Sequence, residues 1–401
     1  MPNIPIAMIT GTNGKTTTTR MLAHILTQGG FVVGFTSTDG IVIAGHTVCT
    51  EDSSGYEGAR RVLHDPSVTA AVLKTARGDL LRYGLYTDRC DVAVLLNVRR
   101  EHIGIDGVDT LEQMAEVKRC VVEAARKAVV LNADDPLCRQ LIDNFPSRRT
   151  TLFTFERTNP AVKKHLRQGG KVFCVDGERT RIVSLEGDRA HPLVAVAGLP
   201  ASWGGVLHYN IANAMAAAAL ADGLGIAEGV TRAALESFDI SVEQSLGRFN
   251  ILMRDPFLLI ADRAISPPAA EAFVQCLAGL DVRGSRLCFC TTAGNRPDRH
   301  FREMGAWLAK GFDRFVCYDV PLFRRGRGPG EITFLLKSAL VQHGVKADSV
   351  AVAPDFQTAL ACMTAQPRRG DLVVALGAFS RADIEALRAK FAPTASSRLA
   401  Q

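Results

Sequence analysis

The sequence is poor in aromatic residues and lacks long apolar runs, and these absences exclude several classes of protein. Aromatic residues make up 6% of the 401 residues. No run of Lys and Arg with interleaved aromatics occurs, so we expect no nucleic-acid partner. No segment approaches the length of a membrane span, so we expect no membrane partner. The start, MPNIPIAMITG, lacks the features of a signal peptide, and we predict a cytoplasmic protein.

The cysteines are scattered rather than paired. None of the ten lies in a C-x-x-C motif, so neither a zinc ribbon nor a disulfide framework is indicated. The formal net charge is +6, and a modest positive field suits substrates that carry phosphate or carboxylate groups. A chain of this length is long for one core, so we predict two domains.

Short apolar runs alternate with helical patterns in both halves of the chain. This alternation is typical of parallel sheets covered by helices on both faces. Between about 149 and 205, short β-type runs and Gly- or Asp-rich turns predict a small antiparallel appendage. The sequence therefore predicts an α/β protein: a P-loop, doubly wound parallel-sheet ATPase domain over 1–246, which carries the appendage, and a second, Rossmann-like α/β domain over 247–401.

The predicted elements follow this alternation. The strands are Ile4–Thr10, Phe31–Phe35, Val68–Leu73, Asp91–Val98, Ala128–Asn132, Phe257–Asp262, Arg286–Thr291, Arg314–Tyr318, Ser349–Val352 and Asp371–Leu376. The helices are Thr16–Gln28, Glu57–His64, Thr110–Ala125, Pro136–Asn144, Asn210–Gly225 and Arg381–Phe391.

A glycine loop, ITGTNGKTTTTR at residues 9–20, joins the first predicted strand to the first predicted helix. The G-x-x-x-x-G-K-[ST] spacing is not met, because Ile9 stands where the first glycine would be. The strand, turn and helix nevertheless direct backbone N–H groups and the helix dipole toward a phosphate. Lys15 would then reach the terminal phosphates, and the Thr16 hydroxyl would ligate Mg²⁺. The alternative is an ordinary strand-to-helix turn.

Lys118 falls on the apolar stripe of a predicted helix, four residues after Met114 and four before Val122. A lysine on such a stripe is unusual, because its charge is costly to bury unless it is paired. The alternative is that the side chain extends to the surface.

The loop GTNGKTTT resembles the short phosphate loop of the Mur ligase superfamily, the ATP-dependent amide ligases. Five further stretches are similar to the Mur-ligase-like domain of the cyanophycin synthetases: residues 52–85, IDGVDTLEQMAEVKRCVV, VLNADDPL, GNRPDRHFREMG and RRGRGPGE. We find neither the ATP-grasp domain that precedes this domain in those enzymes nor the UDP-binding domain of the cell-wall Mur ligases. We therefore expect a free-standing Mur-ligase-like protein.

The resemblance implies an amide ligase that uses ATP and Mg²⁺. ATP phosphorylates a substrate carboxylate, and an amino-acid amine attacks the acyl phosphate. The substrates are expected to be amino-acid or peptidic; in cyanophycin synthetases the corresponding domain adds arginine to an aspartate side chain. Two alternatives stay open: a degenerate nucleotide-binding protein that acts as partner or regulator, and an ATPase without ligation. The substrates, the number of metals and the oligomeric state, including a homo-oligomer, are not fixed by the sequence.

The resemblance also implies a set of site residues. The nucleotide-binding set is Thr12, Asn13, Gly14, Lys15, Thr16, Thr17, Asn210, Asn213, Arg248 and Asp262. The metal-binding set is Thr16, His102 and Lys118, the last after carbamylation, and the catalytic set is Lys15, His102 and Lys118. The substrate-binding set is Arg296, Asp298, Arg324, Arg325 and Arg327, since guanidinium groups suit carboxylates.

Each of these assignments has a plainer alternative. His102 would be a solvated loop histidine, and Asn210 and Asn213 would cap a helix. Arg248 would form a salt bridge at the hinge, and the arginines near residue 325 would form a solvated basic loop.

The sequence departs from the superfamily at Lys74, where a glutamate normally binds a second metal. At ~4 Å and an effective dielectric of about 20, an ammonium and Mg²⁺ repel by roughly 8 kcal/mol. Either the second metal is absent and the ammonium fills its place, or the side chain turns away, with Asp79 as a candidate partner. Two histidines of the family are replaced as well, by Tyr209 and Ile265.

Overall fold

The computed structural model describes residues 4–145, 149–362 and 367–391. The chain divides into two units, one ending at Asp239 and the other beginning at Ile240. The predicted domain boundary, after residue 246, lies a few residues C-terminal to this division. The predicted termini at 1 and 401 lie outside the described residues. No helix in the described ranges is both long and apolar enough to cross a membrane.

The first unit contains one large sheet. Its strands are β1 (Ile6–Thr10), β2 (Val33–Ser37), β3 (Gly40–Ile43), β4 (His46–Cys49), β5 (Ala70–Lys74), β6 (Cys90–Leu95), β7 (Ala125–Asn132), β8 (Arg149–Thr154), β9 (Lys171–Val175), β10 (Arg181–Glu186) and β11 (Arg189–Ala195). Its helices are α1 (Lys15–Gln28), α2 (Tyr56–His64), α3 (Arg77–Tyr83), α4 (Leu111–Glu123), α5 (Pro136–Arg139), α6 (Pro160–Arg167), α7 (His208–Gly223) and α8 (Glu228–Ser237).

The strand order places β1 inside the parallel part of the sheet, between β5 and β6. Over the described residues the order is β11-β10-β9-β8-β7-β6-β1-β5-β2-β3-β4. β1 pairs in parallel with both β5 and β6. The chain leaves β1 toward β2 on one side and later crosses to β6 on the other, so the end of β1 is a topological switch point, where doubly wound sheets bind ligands.

The region from 149 to 205 belongs to this sheet rather than standing apart from it. β8 pairs in parallel with β7, and β9 pairs in parallel with β8. Only β9–β10 and β10–β11 are antiparallel within this segment. The predicted appendage is therefore antiparallel only from β9 to β11, at one end of a continuous sheet, whereas β8 continues the parallel part.

The second unit is also doubly wound. Its strands are β12 (Asn250–Met253), β13 (Leu258–Asp262), β14 (Arg286–Cys290), β15 (Arg314–Tyr318), β16 (Val350–Ala353) and β17 (Leu372–Leu376), in the order β12-β13-β17-β14-β15-β16. Its helices are α9 (Val242–Ser245), α10 (Pro267–Leu277), α11 (Asp298–Gly311), α12 (Pro321–Arg324), α13 (Glu331–Gln342), α14 (Phe356–Ala361) and α15 (Arg381–Phe391). Every described pair in it is parallel except β12–β13. The predicted α/β class is confirmed in both units.

Local signals in the sequence set the helix boundaries near the site. α1 ends where Gly29 and Gly30 follow, and Gly30 has a φ of 86° that favours glycine. α4 begins after Thr110, whose hydroxyl accepts the amide N–H of Gln113 while the Gln113 side chain accepts the amide N–H of Thr110. This capping box fixes the start of the helix that carries Lys118.

Candidate active site

The glycine loop lies between the end of β1 and the start of α1, and two of its positions require glycine. Gly11 has a φ of 151°, and a Cβ built there would lie 2.8 Å from Leu96 Cβ. Gly14 has a φ of 87°, and its Cβ would lie 2.3 Å from Asn213 Oδ1. Backbone conformation and crowding therefore both exclude larger residues from these positions.

Asn97, two residues beyond the end of β6, holds the loop in shape. Its Oδ1 accepts the amide N–H groups of Thr12 at 3.1 Å and Asn13 at 2.9 Å, and its Nδ2 donates to Asn13 O at 3.2 Å. The amides of Thr12 and Asn13 are thus engaged within the protein. The first hydrogen bond of α1 runs from the Thr18 N–H to Gly14 O, so the amides from Gly14 to Thr17 precede the helical ladder. That these amides donate to a phosphate stays a prediction.

Two lysine side chains converge on the carbonyl oxygen of Gly11. Lys15 Nζ lies 2.7 Å from that oxygen and 2.6 Å from Thr12 O. Lys118 Nζ lies 3.2 Å from the same Gly11 oxygen. The loop therefore carries two amino groups at one point, an arrangement that favours an anionic ligand.

Lys118 is buried rather than extended to the surface, with 3% of the residue exposed. Burial, together with the charge of Lys15 and against the opposing effect of Glu101, lowers its pKa to about 7. The neutral amine is thus well populated near neutral pH, which is the form that reacts with carbon dioxide.

The Thr16 hydroxyl belongs to a series of short contacts on the other side of the loop. Its Oγ1 lies 3.2 Å from Thr38 Oγ1. Lys74 Nζ donates to Thr38 Oγ1 at 2.5 Å and to Ser54 Oγ at 2.7 Å. Ser54 in turn donates to a carboxylate oxygen of Asp52. The Lys74 side chain therefore does not turn away from the phosphate loop.

Asn210 and Asn213, both buried on α7, brace the loop helix instead of capping their own helix. Thr18 donates to Asn213 Oδ1 at 3.2 Å, and Asn213 Nδ2 donates to Asn210 Oδ1 at 3.2 Å. Asn210 Nδ2 donates to Ala201 O at 2.8 Å. The start of α7 has no side-chain cap, so the helix-capping alternative is wrong. Their contact with a nucleotide stays a prediction.

His102 sits in the loop after β6, in a left-handed backbone conformation with a φ of 60°. Its Nε2 lies 3.4 Å from Glu101 Oε1. Among the described residues, no group of three or more His, Cys, Asp or Glu side chains could hold a metal ion. Mg²⁺ commonly binds through one or two protein oxygens together with substrate phosphates, and the Thr16 hydroxyl fits that donor set. A ligand role for His102 stays a prediction.

Arg248 and Asp262, the nucleotide residues predicted in the second unit, lie within electrostatic range of each other. Asp262 is buried at the end of β13, and its Oδ2 accepts the amide N–H of Phe249 at 2.6 Å. Burial raises the pKa of Asp262 to about 6, although Arg248 opposes the shift. Asp262 therefore changes charge close to the physiological range.

The predicted substrate residues of the second unit form a network around Arg327. Arg327 donates to Asp298 Oδ1 at 2.7 Å, to Arg296 O at 3.0 Å, and to Glu331. It thereby ties the loop before α11 to the start of α13.

The two neighbouring arginines differ in their surroundings. Arg324 Nε lies 2.8 Å from Asp319 Oδ2 in an ion pair. Arg325 is exposed, with a φ of 45° and its guanidinium 5.9 Å from the Phe323 ring. Arg324 and Arg327 therefore hold the loop, whereas Arg325 faces solvent.

Sequence reasoning did not single out Asn97, Thr38 or Ser54. For Asn97 a signal was present, because a polar residue directly follows the apolar run that ends β6. Thr38 and Ser54 lie in ordinary polar stretches and carried no such signal.

Comparison with known proteins gives a consistent result. The model of the Mur ligase middle domain matches residues 9–221. A cyanophycin synthetase of Synechocystis sp. is 38% identical over 344 residues, which cover 84% of this chain and 38% of the relative. One from Crocosphaera subtropica is 36% identical over 358 residues, covering 88% of this chain and 40% of the relative. The chain thus spans about two fifths of the length of these relatives.

Solved structures share the fold. A bifunctional folylpolyglutamate synthase/dihydrofolate synthase with Mn, AMPPNP and L-glutamate bound has a TM-score of 0.68 at 20% identity, covering 96% of this chain and 89% of that one. A pseudomurein peptide ligase type C from Methanothermus fervidus has a TM-score of 0.66 at 18% identity, with coverages of 97% and 78%.

Proposed function

Because the chain belongs to the Mur ligase family, we propose that it is an ATP-dependent ligase that joins a carboxylate to an amine. The observation that carries the proposal is the glycine loop at the end of β1, where the Lys15 and Lys118 side chains meet at the Gly11 carbonyl. Such a loop at a helix N-terminus suits the phosphates of a nucleotide. The solved relative with AMPPNP and L-glutamate bound supports a nucleotide and an amino acid as substrates.

In this proposal, α1 supplies the binding site for the terminal phosphates. The amides from Gly14 to Thr17 donate to phosphate oxygens, and Lys15 leaves its carbonyl partners to bind the γ-phosphate. The Thr16 hydroxyl would hold a Mg²⁺, which neutralises phosphate charge when it is bound. Arg248 and Asp262 of the second unit are proposed as nucleotide residues, the carboxylate through the ribose.

The proposed reaction has two steps. A carboxylate oxygen of the acceptor attacks the γ-phosphorus, the bond to the β,γ-bridging oxygen breaks, and ADP leaves. The amine then attacks the acyl phosphate, the C–O bond breaks, and inorganic phosphate and an amide result, with one proton released. The chain contributes positive charge along this path, since phosphoryl transfer depends on positioning and electrostatic stabilisation. Exposed Arg325 is proposed to bind the carboxylate of the incoming amino acid.

We further propose that Lys118 is carbamylated. The neutral amine attacks carbon dioxide, a C–N bond forms, and a proton leaves. The residue then changes from neutral to negatively charged beside Lys15. Mass spectrometry of the intact chain in bicarbonate, with Lys118→Met as control, tests this. A mass gain of one carbon dioxide in the wild type alone is expected, and the same gain in both chains, or no gain in either, would contradict it.

The ligase proposal is tested by release of ADP and phosphate with a panel of amino acids as acceptors and as amines. Turnover that requires an amine, with a matching amide product, is the expected result, and Lys15→Met should abolish it. Turnover that is indifferent to every amine would identify an ATPase. Nucleotide binding without turnover would favour the degenerate nucleotide-binding protein, a candidate that the unusual Lys74 beside the loop supports.

A further inference from the structure

A buried ammonium group lies beside the phosphate loop, at the end of the strand adjacent to β1. Lys74 is the last residue of β5, is paired with Ile9 of β1, and is 5% exposed. Its Nζ is 2.5 Å from Thr38 Oγ1, which is itself 3.2 Å from Thr16 Oγ1. Two short contacts thus connect the ammonium to the hydroxyl at the start of α1.

The donor set around this ammonium does not fit a divalent metal ion. The Lys74 group meets two neutral hydroxyls, from Thr38 and Ser54. Carboxylates lie further out: Asp52 accepts from Ser54, and the charge of Lys74 lowers the pKa of Asp79 against a larger opposing effect of burial. A metal ion placed between Lys74 and Thr16 would be repelled by the ammonium, whereas a phosphate group would be attracted.

We infer that Lys74 is a built-in cation of the phosphate site, which contacts the terminal phosphate of ATP and takes the place of a second metal ion. The inference rests on the proposed nucleotide binding at the loop. A lysine is a compact, mobile point charge, and lysines serve as phosphate ligands in nucleotide loops. The Thr38 hydroxyl positions the ammonium toward Thr16, and the phosphate replaces one hydroxyl contact when ATP binds.

The competing explanation is that Lys74 only ties β5 to the segments that carry Thr38 and Ser54. The two roles differ in their effect on nucleotide selectivity. A structural tie supports ATP and ADP binding equally, because both need the same loop. A cation at the terminal phosphate supports ATP binding alone.

Calorimetric titration of the full chain with AMPPNP and with ADP, both with Mg²⁺, separates these roles. Lys74→Met keeps most of the length of the side chain and removes its charge. We expect it to weaken AMPPNP binding at least about tenfold while ADP binding stays within about twofold. Lys74→Arg should restore part of the loss. Ser54→Ala keeps the ammonium and removes one hydrogen bond, so it serves as the matched control, with both affinities within about twofold of the wild type.

Equal weakening of AMPPNP and ADP by Lys74→Met would overturn the inference, as would an unchanged AMPPNP affinity. If the wild-type chain binds neither nucleotide, the proposed function fails instead, so the two failures are distinguishable. A second measurement needs no variant: Mn²⁺ titration of the wild-type chain with AMPPNP, followed by electron paramagnetic resonance. One Mn²⁺ for each bound nucleotide is expected, and two would overturn the inference even if Lys74→Met does not fold.

Discussion

The buried amine of Lys118 should leave a measurable mark on the pH dependence of stability. Burial lowers its pKa from 10.5 to about 7 in the folded protein. At 1.36 kcal/mol for each pKa unit, this difference corresponds to roughly 5 kcal/mol against the charged form. The unfolded chain, whose lysine is solvated, keeps the proton up to its ordinary pKa.

The sign of the effect follows from the protons bound by each state. Between about pH 7 and 10.5 the unfolded chain binds one proton more at this residue than the folded chain does. The free energy of unfolding therefore rises with pH in this window, by up to about 1.4 kcal/mol per pH unit. Lys118→Met removes the titrating group, so the variant should be more stable than the wild type near pH 7, and its advantage should shrink by up to about 3 kcal/mol over two pH units.

Because each unit contains one tryptophan, the unfolding of the first unit can be measured separately from that of the second. Trp203 lies in the first unit and Trp307 in the second, so Trp307→Phe leaves one fluorescent reporter for the unit that contains Lys118. Urea unfolding at several pH values, in buffer freed of carbon dioxide, gives the free energies to be compared. The exposed Lys163 provides the control variant, Lys163→Met, which should follow the wild type.

Parallel pH curves for the wild type and Lys118→Met between pH 7 and 9.5 would refute this reasoning. They would show that the amine keeps its proton in the folded state. The carbamylation proposal would then lose its chemical basis, because an ammonium group does not react with carbon dioxide.

Three further outcomes are expected in the same type of unfolding experiment. Gly14→Ala and Gly30→Ala both place a side chain at a φ near 87°. The new methyl group of Gly30→Ala meets open space, so this variant should lose about 1 kcal/mol of stability. The methyl group of Gly14→Ala also meets Asn213, so this variant should lose clearly more, and equal losses would contradict the crowding. Asn97→Ala leaves the Asn13 amide without its acceptor, whereas the Thr12 amide keeps the Asn97 carbonyl oxygen at 2.9 Å, so we expect a cost of about 1 kcal/mol or slightly more. An unchanged stability would show that the Asn97 side chain does not hold the loop. The raised pKa of Asp262, about 6, makes the free energy of unfolding of the wild type fall as the pH rises from 4 to 6. The stability of Asp262→Asn relative to the wild type should therefore increase by up to about 3 kcal/mol over this range, with Trp307 as the fluorescent reporter. Parallel curves would contradict that pKa.

The strands and helices could largely be predicted from the sequence, because buried parallel strands are short apolar runs. The predicted strand Arg314–Tyr318 and helix Arg381–Phe391 match the structure. Pro136–Asn144 was predicted as one helix, but α5 ends at Arg139 and a 3₁₀ turn covers Ile142–Asn144. Chain composition carries little information about such breaks.

Pairing partners were harder to predict than elements. The hairpin strands β3 and β4 were not predicted, because four-residue strands at a sheet edge leave a weak pattern. β8 and β9 run parallel because α6 crosses between them, and that helix was not recognised within its turn-rich surroundings. The position of a strand in a sheet depends on such crossovers rather than on its own residues.

The site was predictable where a motif carried it and not where side chains from distant segments meet. The GKT motif predicted the position of the glycine loop, and the spacing around Lys118 indicated a lysine in an apolar environment. Asn97 and Thr38 act through contacts that only the folded chain creates, since the segments after β6 and β2 reach the glycine loop and the start of α1 in space. Arg327 was predicted to bind substrate, and its ion pairs with Asp298 and Glu331 could not be predicted from the sequence; the substrate role stays a prediction.

The contacts of Lys15 have a consequence for how strongly the loop holds an anion. The ammonium already satisfies two carbonyl oxygens, on Gly11 and Thr12, so the loop contains its own competitor for the ligand. An incoming phosphate exchanges one set of partners for another, and the net gain is smaller than the contact alone would give. We therefore expect small anions with few oxygens to bind weakly, and ligands that engage several amides at once to bind more tightly.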